Sequence, residues 1–252
     1  MELKICLYPK QTAILLLVGA LFLIFTSAMV DLIIAVTGGK ENASLLMSDL
    51  STLFDIHGEA NLSSLFATTL LATAGILLLL ISTFVQQNEK KISYQWLILG
   101  VIFIYLSVDE TARIHEKLSA GSAKLFNMEG AAFAAFAWVI PGSIFVVLLA
   151  LIYSRFLMKL PRKTALLFVV SGAMFITGAV VIEIAEGIVV NRYSFDTPIF
   201  RVLTQIEESL ELFGVIAFIY TLLDYLAQQI PDVNLTLDLR KKQLGDAGEV
   251  VE

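Results

Sequence analysis

Six long apolar segments dominate this chain and limit what it can fold into. Each is near the ~20 residues that an α-helix needs to cross the ~30 Å hydrocarbon core of a bilayer. The chain is also 58% hydrophobic, whereas soluble domains are about 45–50% apolar, so the sequence identifies an integral membrane protein. The segments run from Thr12 to Val36, Leu65 to Val85, Tyr94 to Val108, Ala131 to Tyr153, Thr164 to Val190 and Pro198 to Leu223.

These segments predict the fold class and the domain organisation. We expect an all-α, polytopic integral membrane protein in which six transmembrane helices form one bundle, because too little sequence lies between the segments for a second domain. The transmembrane domain is predicted to cover residues 1–224, and residues 225–252 are predicted to form a polar cytoplasmic tail. The first segment resembles a signal peptide, but its apolar run continues to Val36, which favours a retained helix.

Lysine and arginine residues between the segments predict the orientation in the membrane. Cytoplasmic loops carry an excess of these residues. With the amino terminus in the cytoplasm, eleven of the 17 would lie inside and six outside. We therefore predict that both termini are cytoplasmic and that the protein resides in the plasma (inner) membrane. The six outer residues are Lys40, Arg113, Lys117, Lys124, Arg192 and Arg201.

An ionisable run, Asp109 to Glu116, directly follows the third apolar segment. If the helix continues through this run at ~100° per residue, Asp109, Arg113 and Glu116 share one face, and His115 lies about a quarter-turn to one side. Nothing in a membrane helix requires these charges. The run therefore predicts a chemical site near the outer end of the third helix.

Three of the predicted helices carry acidic residues at the same depth, on the predicted outer side. A charge that faces lipid at the bilayer centre costs about 2.5–3.5 kcal/mol, so these acids are expected to face the bundle interior. Arg113 and Arg201 are the expected counter-charges or anion contacts, and two arginines cannot neutralise seven acids. We therefore predict an outward-facing acidic cavity formed by Asp109, Glu116, Glu183, Glu186, Glu207, Glu208 and Glu211.

Small residues predict how the fifth helix packs. Gly172 and Ala179 share a helix face with Glu183, Glu186 and Gly187. Small residues let two helix backbones approach closely, so this face is expected to contact another helix rather than lipid.

The longest connection, residues 37–64, lies on the predicted outer side. Loops of this length in compact proteins are often functional. We expect a short helix on the outer surface, followed by a lid in which Asp55, His57 and Glu59 lie near the mouth of the bundle. The simpler alternative for each of the three is a solvated side chain that faces water.

A bound metal is the first interpretation of the acidic residues. Carboxylates combined with imidazoles form carboxylate-bridged metal sites in helix bundles. His115 favours Zn, Fe or Mn, whereas Ca or Mg would need an all-oxygen ligand set. The metal would serve a membrane enzyme that acts on a lipid or small molecule from the outer leaflet. The Glu-x-x-His motif of ferritin-like proteins is absent, so that family is not indicated. The candidate ligands are Asp109, His115, Glu116, Glu183, Glu186, Glu207, Glu208 and Glu211.

Two other functions would use the same residues. Chains of intramembrane acids also mark proton relays, so a proton- or cation-coupled transporter or channel is the first alternative. The sequence has no internal repeat and no matching pair of Gly/Pro-broken helices to support it. The second alternative is a structural or accessory subunit of a membrane complex, with ion pairs such as Arg201 to Glu208.

The sequence leaves the choice between enzyme and transporter open. It contains no common hydrolase, P-loop or dinucleotide-binding motif. It also lacks a basic patch that would predict nucleic acid binding. The lipid bilayer is the one partner that the sequence implies, and both a homo-oligomer and a partner subunit stay open.

Overall fold

A computed structural model of the protein describes residues 8–39, 42–58, 60–85, 90–128 and 131–229. Within these ranges all regular structure is helical. Six helices are long and apolar enough to cross a membrane, which confirms the predicted all-α chain with six spans. The spans are Pro9–Val36, Leu62–Val85, Ile92–Ala112, Phe133–Leu157, Arg162–Arg192 and Pro198–Gln229.

Nine α-helices, two short helical segments and their connections make up the described chain. A 3₁₀ turn, Ala132–Phe136, opens the fourth span, and a π-helical segment, Thr177–Ile182, interrupts the fifth. The helices are α1 (Pro9–Val36), α2 (Leu45–Phe54), α3 (Leu62–Val85), α4 (Lys90–Ala112), α5 (Ile114–Leu125), α6 (Val139–Leu157), α7 (Arg162–Ile176), α8 (Glu183–Arg192) and α9 (Pro198–Gln229).

Helix α9 is the central helix of the bundle. In its most apolar stretch 61% of residues are buried, against 11% in the fifth span, and it packs against α1, α3 and α7. It also continues past the predicted end of the transmembrane domain at residue 224, because Tyr225 and Leu226 are buried in the core. The rest of the predicted tail, from residue 230, lies outside the described residues.

Glycines bring the fifth span against the backbone of α9. A Cβ on Gly178 would lie 2.8 Å from the backbone oxygen of Glu207, and one on Gly214 would lie 2.7 Å from the backbone nitrogen of Phe175. Small residues therefore do allow close packing of the fifth helix. The prediction that Gly172 lies on the packed face is wrong, because a Cβ added to Gly172 would have no neighbouring atom within 4 Å. The π-segment adds a residue to one turn, so the face extrapolated from Gly172 is rotated away from α9.

An aromatic layer fills the half of the bundle that is predicted to be cytoplasmic. The fully buried Trp96 ring lies 4.9 Å from Phe156 and 5.1 Å from Tyr225, centroid to centroid. Closer to the middle of the bundle, Phe103 of α4 stacks on Phe218 of α9 at 4.8 Å. These rings exclude water from that half, so the buried acids of the bundle lie on the other side of an apolar layer.

The glycine contact predicts a difference between two alanine variants. Gly214→Ala places a Cβ against the Phe175 backbone, which cannot move aside, so overpacking should cost about 1–3 kcal/mol. Gly172→Ala is the matched control, because both variants gain the same helix propensity but only Gly214 is crowded. We expect a lower Tm for Gly214→Ala in detergent, measured by circular dichroism. A Tm equal to that of Gly172→Ala would contradict the packing described.

Candidate functional site

The third span ends in a helix break within the ionisable run. Helix α4 stops at Ala112, Arg113 adopts a left-handed conformation with φ of 53°, and α5 begins at Ile114. The predicted continuous helix over residues 109–116 is therefore wrong. The physical reason is that the Asp109 carboxylate takes the place of a helical carbonyl: its Oδ1 accepts the backbone N–H of His115 at 2.9 Å.

The break folds His115 back onto Asp109. The His115 Nδ1 lies 2.7 Å from Asp109 Oδ2, so one carboxylate receives both the backbone and the ring nitrogen of the same histidine. Because an ionised carboxylate can only accept hydrogen bonds, Nδ1 carries the proton and Nε2 is the nitrogen at which the ring gains or loses one. Asp109 is buried, and His115 is half-buried.

The surroundings of His115 favour its charged form. Burial by itself lowers the pKa of His115. The hydrogen bond to Asp109 and the negative charges of Asp109, Glu183 and Glu116 together outweigh burial, so its pKa is raised above the ordinary value. The ring therefore keeps its proton to a higher pH than an ordinary histidine does.

Trp138 connects this dyad to the fifth span. Its indole Nε1–H donates to Glu183 Oε1 at 2.6 Å, and its ring centroid lies 5.0 Å from that of His115. Its backbone N–H donates to the buried hydroxyl of Ser119 at 3.3 Å. The tryptophan thus holds a carboxyl of α8 beside the imidazole of α5.

Two further glutamates meet where α8 crosses α9. The buried carboxyl of Glu186 interacts with the carboxyl of Glu207 and with the hydroxyl of Thr204. Glu186 Oε1 has no hydrogen-bond partner among the described residues. These two buried, interacting carboxyl groups form the centre of what we call the carboxylate cluster, namely Glu110, Glu183, Glu186, Glu207, Glu208 and Glu211.

The other three members of the cluster, Glu110, Glu208 and Glu211, line a small cavity between α3, α4 and α9. The volume in which the centre of a water molecule can lie is about 10 Å³, so the cavity can hold about one water molecule. Glu110 was not among the candidate site residues predicted from the sequence. A usable pattern exists, because Glu110 follows Phe103 by seven residues and therefore shares its bundle-facing side.

The outer loop brings two of its three predicted residues to the cluster. Buried Ile56 anchors the loop, since its N–H donates to Ser27 of α1 at 3.2 Å. Asp55 Oδ1 accepts from the backbone N–H and lies 3.2 Å from the ring Nδ1 of His57. The charge of His57 acts on Glu186, and that of Asp55 on Glu208. Glu59 lies outside the described residues.

The two predicted counter-charges, Arg113 and Arg201, differ in their ion pairs. Arg113 pairs with Glu116 at the exposed surface. Arg201 forms no ion pair with any described residue, so the predicted pair with Glu208 is absent from this part of the chain. No three of the described His, Cys, Asp and Glu side chains are grouped as metal ligands, and the metal site therefore stays a prediction.

The Asp109 contact predicts how His115 titrates. The chain contains two histidines, so both imidazoles can be followed by NMR in detergent and assigned with a His57→Gln variant. We expect the His115 midpoint to lie above ~6.5 in the wild type and to fall in Asp109→Asn, because an amide carries no charge yet still caps α5. Glu116→Gln is the control and should shift it less, since Glu116 contributes least. An unchanged midpoint in Asp109→Asn would contradict the dyad.

The same shift gives the sign of a pH effect on stability. Because the folded-state pKa of His115 is raised, its charged form stabilises the fold below about pH 6.5. This contribution is lost as the pH rises through the folded-state pKa.

Comparisons with known proteins give one match. No curated protein and no solved structure matches the chain. The family model of a domain of unknown function, DUF8692, matches residues 15–226. This range contains the Asp109–His115 dyad and the whole carboxylate cluster. Since the match covers most of the 252 residues, the chain belongs to the DUF8692 family.

Proposed function

We propose that this protein binds protons at the carboxylate cluster and uses them as a proton- or cation-coupled transporter or channel. The observation that carries the proposal is the burial of two interacting carboxyl groups, those of Glu186 and Glu207, where α8 crosses α9. Two ionised carboxylates in contact repel strongly where the dielectric constant is low, and a proton shared between them removes that repulsion. A buried pair of this kind is a site for one exchangeable proton.

The charge balance around the pair supports protons as the occupants. No ion pair of the described residues includes any of five acids of the cluster, namely Glu183, Glu186, Glu207, Glu208 and Glu211. An uncompensated charge inside a membrane protein is expensive, so groups without a cationic partner are expected to be neutral or to hold a cation. Protons supply that neutrality without any additional ligand.

Interrupted helices next to the acids also favour transport. The break at Arg113 ends α4 beside Asp109, and the π-segment Thr177–Ile182 directly precedes Glu183. Transporters place ion sites at discontinuous helices, where backbone groups and side chains can rearrange. A matching pair of Gly/Pro-broken helices is absent from the sequence, so this support comes from the backbone of the structure.

The direction of access follows from the predicted orientation. With both termini in the cytoplasm, the cluster opens outward, toward the extracytoplasmic side of the plasma (inner) membrane. The aromatic layer around Trp96 then separates the cluster from the cytoplasm. Transport requires this layer to part while the outer side closes, as in alternating access.

A metal-dependent membrane enzyme is the second candidate. It is favoured by the two buried atoms that lack hydrogen-bond partners among the described residues, Glu186 Oε1 and His57 Nε2, since both atom types ligate divalent metals. A Zn, Fe or Mn ion there would act on a lipid or small molecule from the outer leaflet. A structural role within a membrane complex would need neither protons nor a metal.

Proton flux into proteoliposomes tests the first proposal. After an acid pulse outside, with K⁺ and valinomycin to balance charge, a dye trapped inside reports the flux. We expect Glu207→Gln to slow the wild-type flux by about tenfold or more, because an amide cannot carry the shared proton. Asp49→Asn, which removes an exposed carboxyl on α2, is the control and should match the wild type. Wild-type flux no faster than in protein-free liposomes would refute the proposal.

Elemental analysis of the purified protein separates the two candidates. If protons occupy the cluster, we expect no stoichiometric transition metal in the wild type or in Glu186→Gln. The second candidate expects one Zn, Fe or Mn per chain in the wild type and in Asp49→Asn, and loss of that metal in Glu186→Gln, which removes a proposed ligand. A metal retained equally in all three proteins would place it outside the cluster.

A further inference from the structure

His115 lies between the outer surface and the carboxylate cluster. On its outer side the exposed Glu116 is in water, and on its inner side Glu183 is half-buried at the start of α8. The charge of His115 acts on both of these carboxylates. From Glu183 the sequence of interacting carboxyls continues to Glu186 and Glu207.

The geometry leaves one ring nitrogen for proton exchange. Asp109 holds Nδ1 at 2.7 Å and the backbone N–H at 2.9 Å, so both its oxygens fix the ring in one tautomer and one orientation. The Trp138 indole packs 5.0 Å from the imidazole and keeps Glu183 nearby through its own hydrogen bond. The imidazole is therefore oriented in the way that general acid–base histidines are.

We propose that His115 transfers protons between outer water and Glu183 through its Nε2, and so loads the carboxylate cluster. This inference rests on the proposed function. A hydronium ion outside gives its proton to Nε2, and the resulting imidazolium is held by Asp109. Nε2 then releases a proton to the Glu183 carboxylate, directly or through one water, which restores the neutral ring and its Nδ1–H. The net result is one proton moved inward and no change in His115.

The charged groups around the imidazole suit this role. Asp109 from α4, Glu183 from α8 and Glu116 from its own helix all stabilise the imidazolium. The 3₁₀ turn Ala132–Phe136, which also packs on α5, contributes no charge. Histidine is a common general acid–base group because its ordinary pKa lies close to neutral pH, and these three carboxylates favour the form that carries the proton.

His115→Ala in the same proteoliposomes tests the transfer. We expect flux at least tenfold slower than in the wild type, with partial recovery when imidazole is added outside. Lys124→Gln, an exposed charge change on the same helix, is the control and should keep the wild-type rate. Flux that persists in His115→Ala but is lost in Glu207→Gln would overturn the role of His115 and leave the proposed function standing. Absence of flux in the wild type would refute the proposed function itself.

A second variant separates proton transfer from a purely structural role. Asp109→Asn keeps a good cap for α5 but removes the negative charge beside the ring. If His115 transfers protons, the dependence of flux on outer pH should move to lower pH by roughly one unit, because the imidazolium has lost its main partner. An unchanged pH profile, in a variant whose Tm equals that of the wild type, would overturn the transfer and show that Asp109 and His115 only stabilise the helix break.

Discussion

The cost of placing a carboxylate in hydrocarbon is the constraint on which the rest of this structure depends. An acid that faced lipid would cost several kcal/mol, so α9, which carries Glu207, Glu208 and Glu211, has to be the central helix. The packing agrees, because α9 is covered by α1, α3 and α7 along most of its length. The sixth span carries more acids than any other span and is the most buried of the six. The second span carries no acid and is the next most buried, so apolar packing contributes to burial as well.

The same constraint explains why the helices are interrupted where the acids lie. In a regular helix the backbone N–H and C=O groups hydrogen-bond to each other, so few of them are available to bind a buried ion or proton. At Arg113 the chain accepts a left-handed residue, at a cost of about 1–2 kcal/mol, and the Asp109 side chain offsets this by capping α5 and binding His115. At Thr177–Ile182 the π-segment rotates the end of the fifth span, so Glu183 and Glu186 point into the bundle. Both interruptions therefore lie next to acidic side chains and help to set the positions of those side chains, in addition to changing the course of the helix.

Sequence reasoning succeeds where a residue property is repeated along the chain and fails where a single contact decides. Apolar length predicts the six spans, because hydrocarbon thickness acts on every one of them in the same way. The surplus of acids predicts that they face inward, although one of the two expected arginine partners, Arg201, forms no ion pair with any described residue. The break at Arg113 was missed, since neither Gly nor Pro marks it and only the reach of Asp109 across six residues produces it. Gly172 was assigned to the wrong face for a similar reason, because one extra residue in a π-turn is invisible to a fixed period. The short helix α2 was predicted, whereas the position of the chain after it depends on the Ile56 contact with Ser27, which joins two distant parts of the chain.

The close backbone packing of the fifth span against α9 also sets the positions of the carboxyl groups in the cluster. A Cβ on Gly178 would meet the backbone oxygen of Glu207 at 2.8 Å and the Cγ of Glu211 at 2.9 Å, so the fifth span touches α9 at the acids themselves. Glu186 lies two turns further along that span, and only this approach lets its carboxyl reach Glu207. A larger residue at Gly178 would push the helices apart and separate the two carboxyls, and each would then need its own neutralising partner. The glycine therefore does more than permit packing: by fixing the distance between two carboxyls, it determines whether they can share a proton.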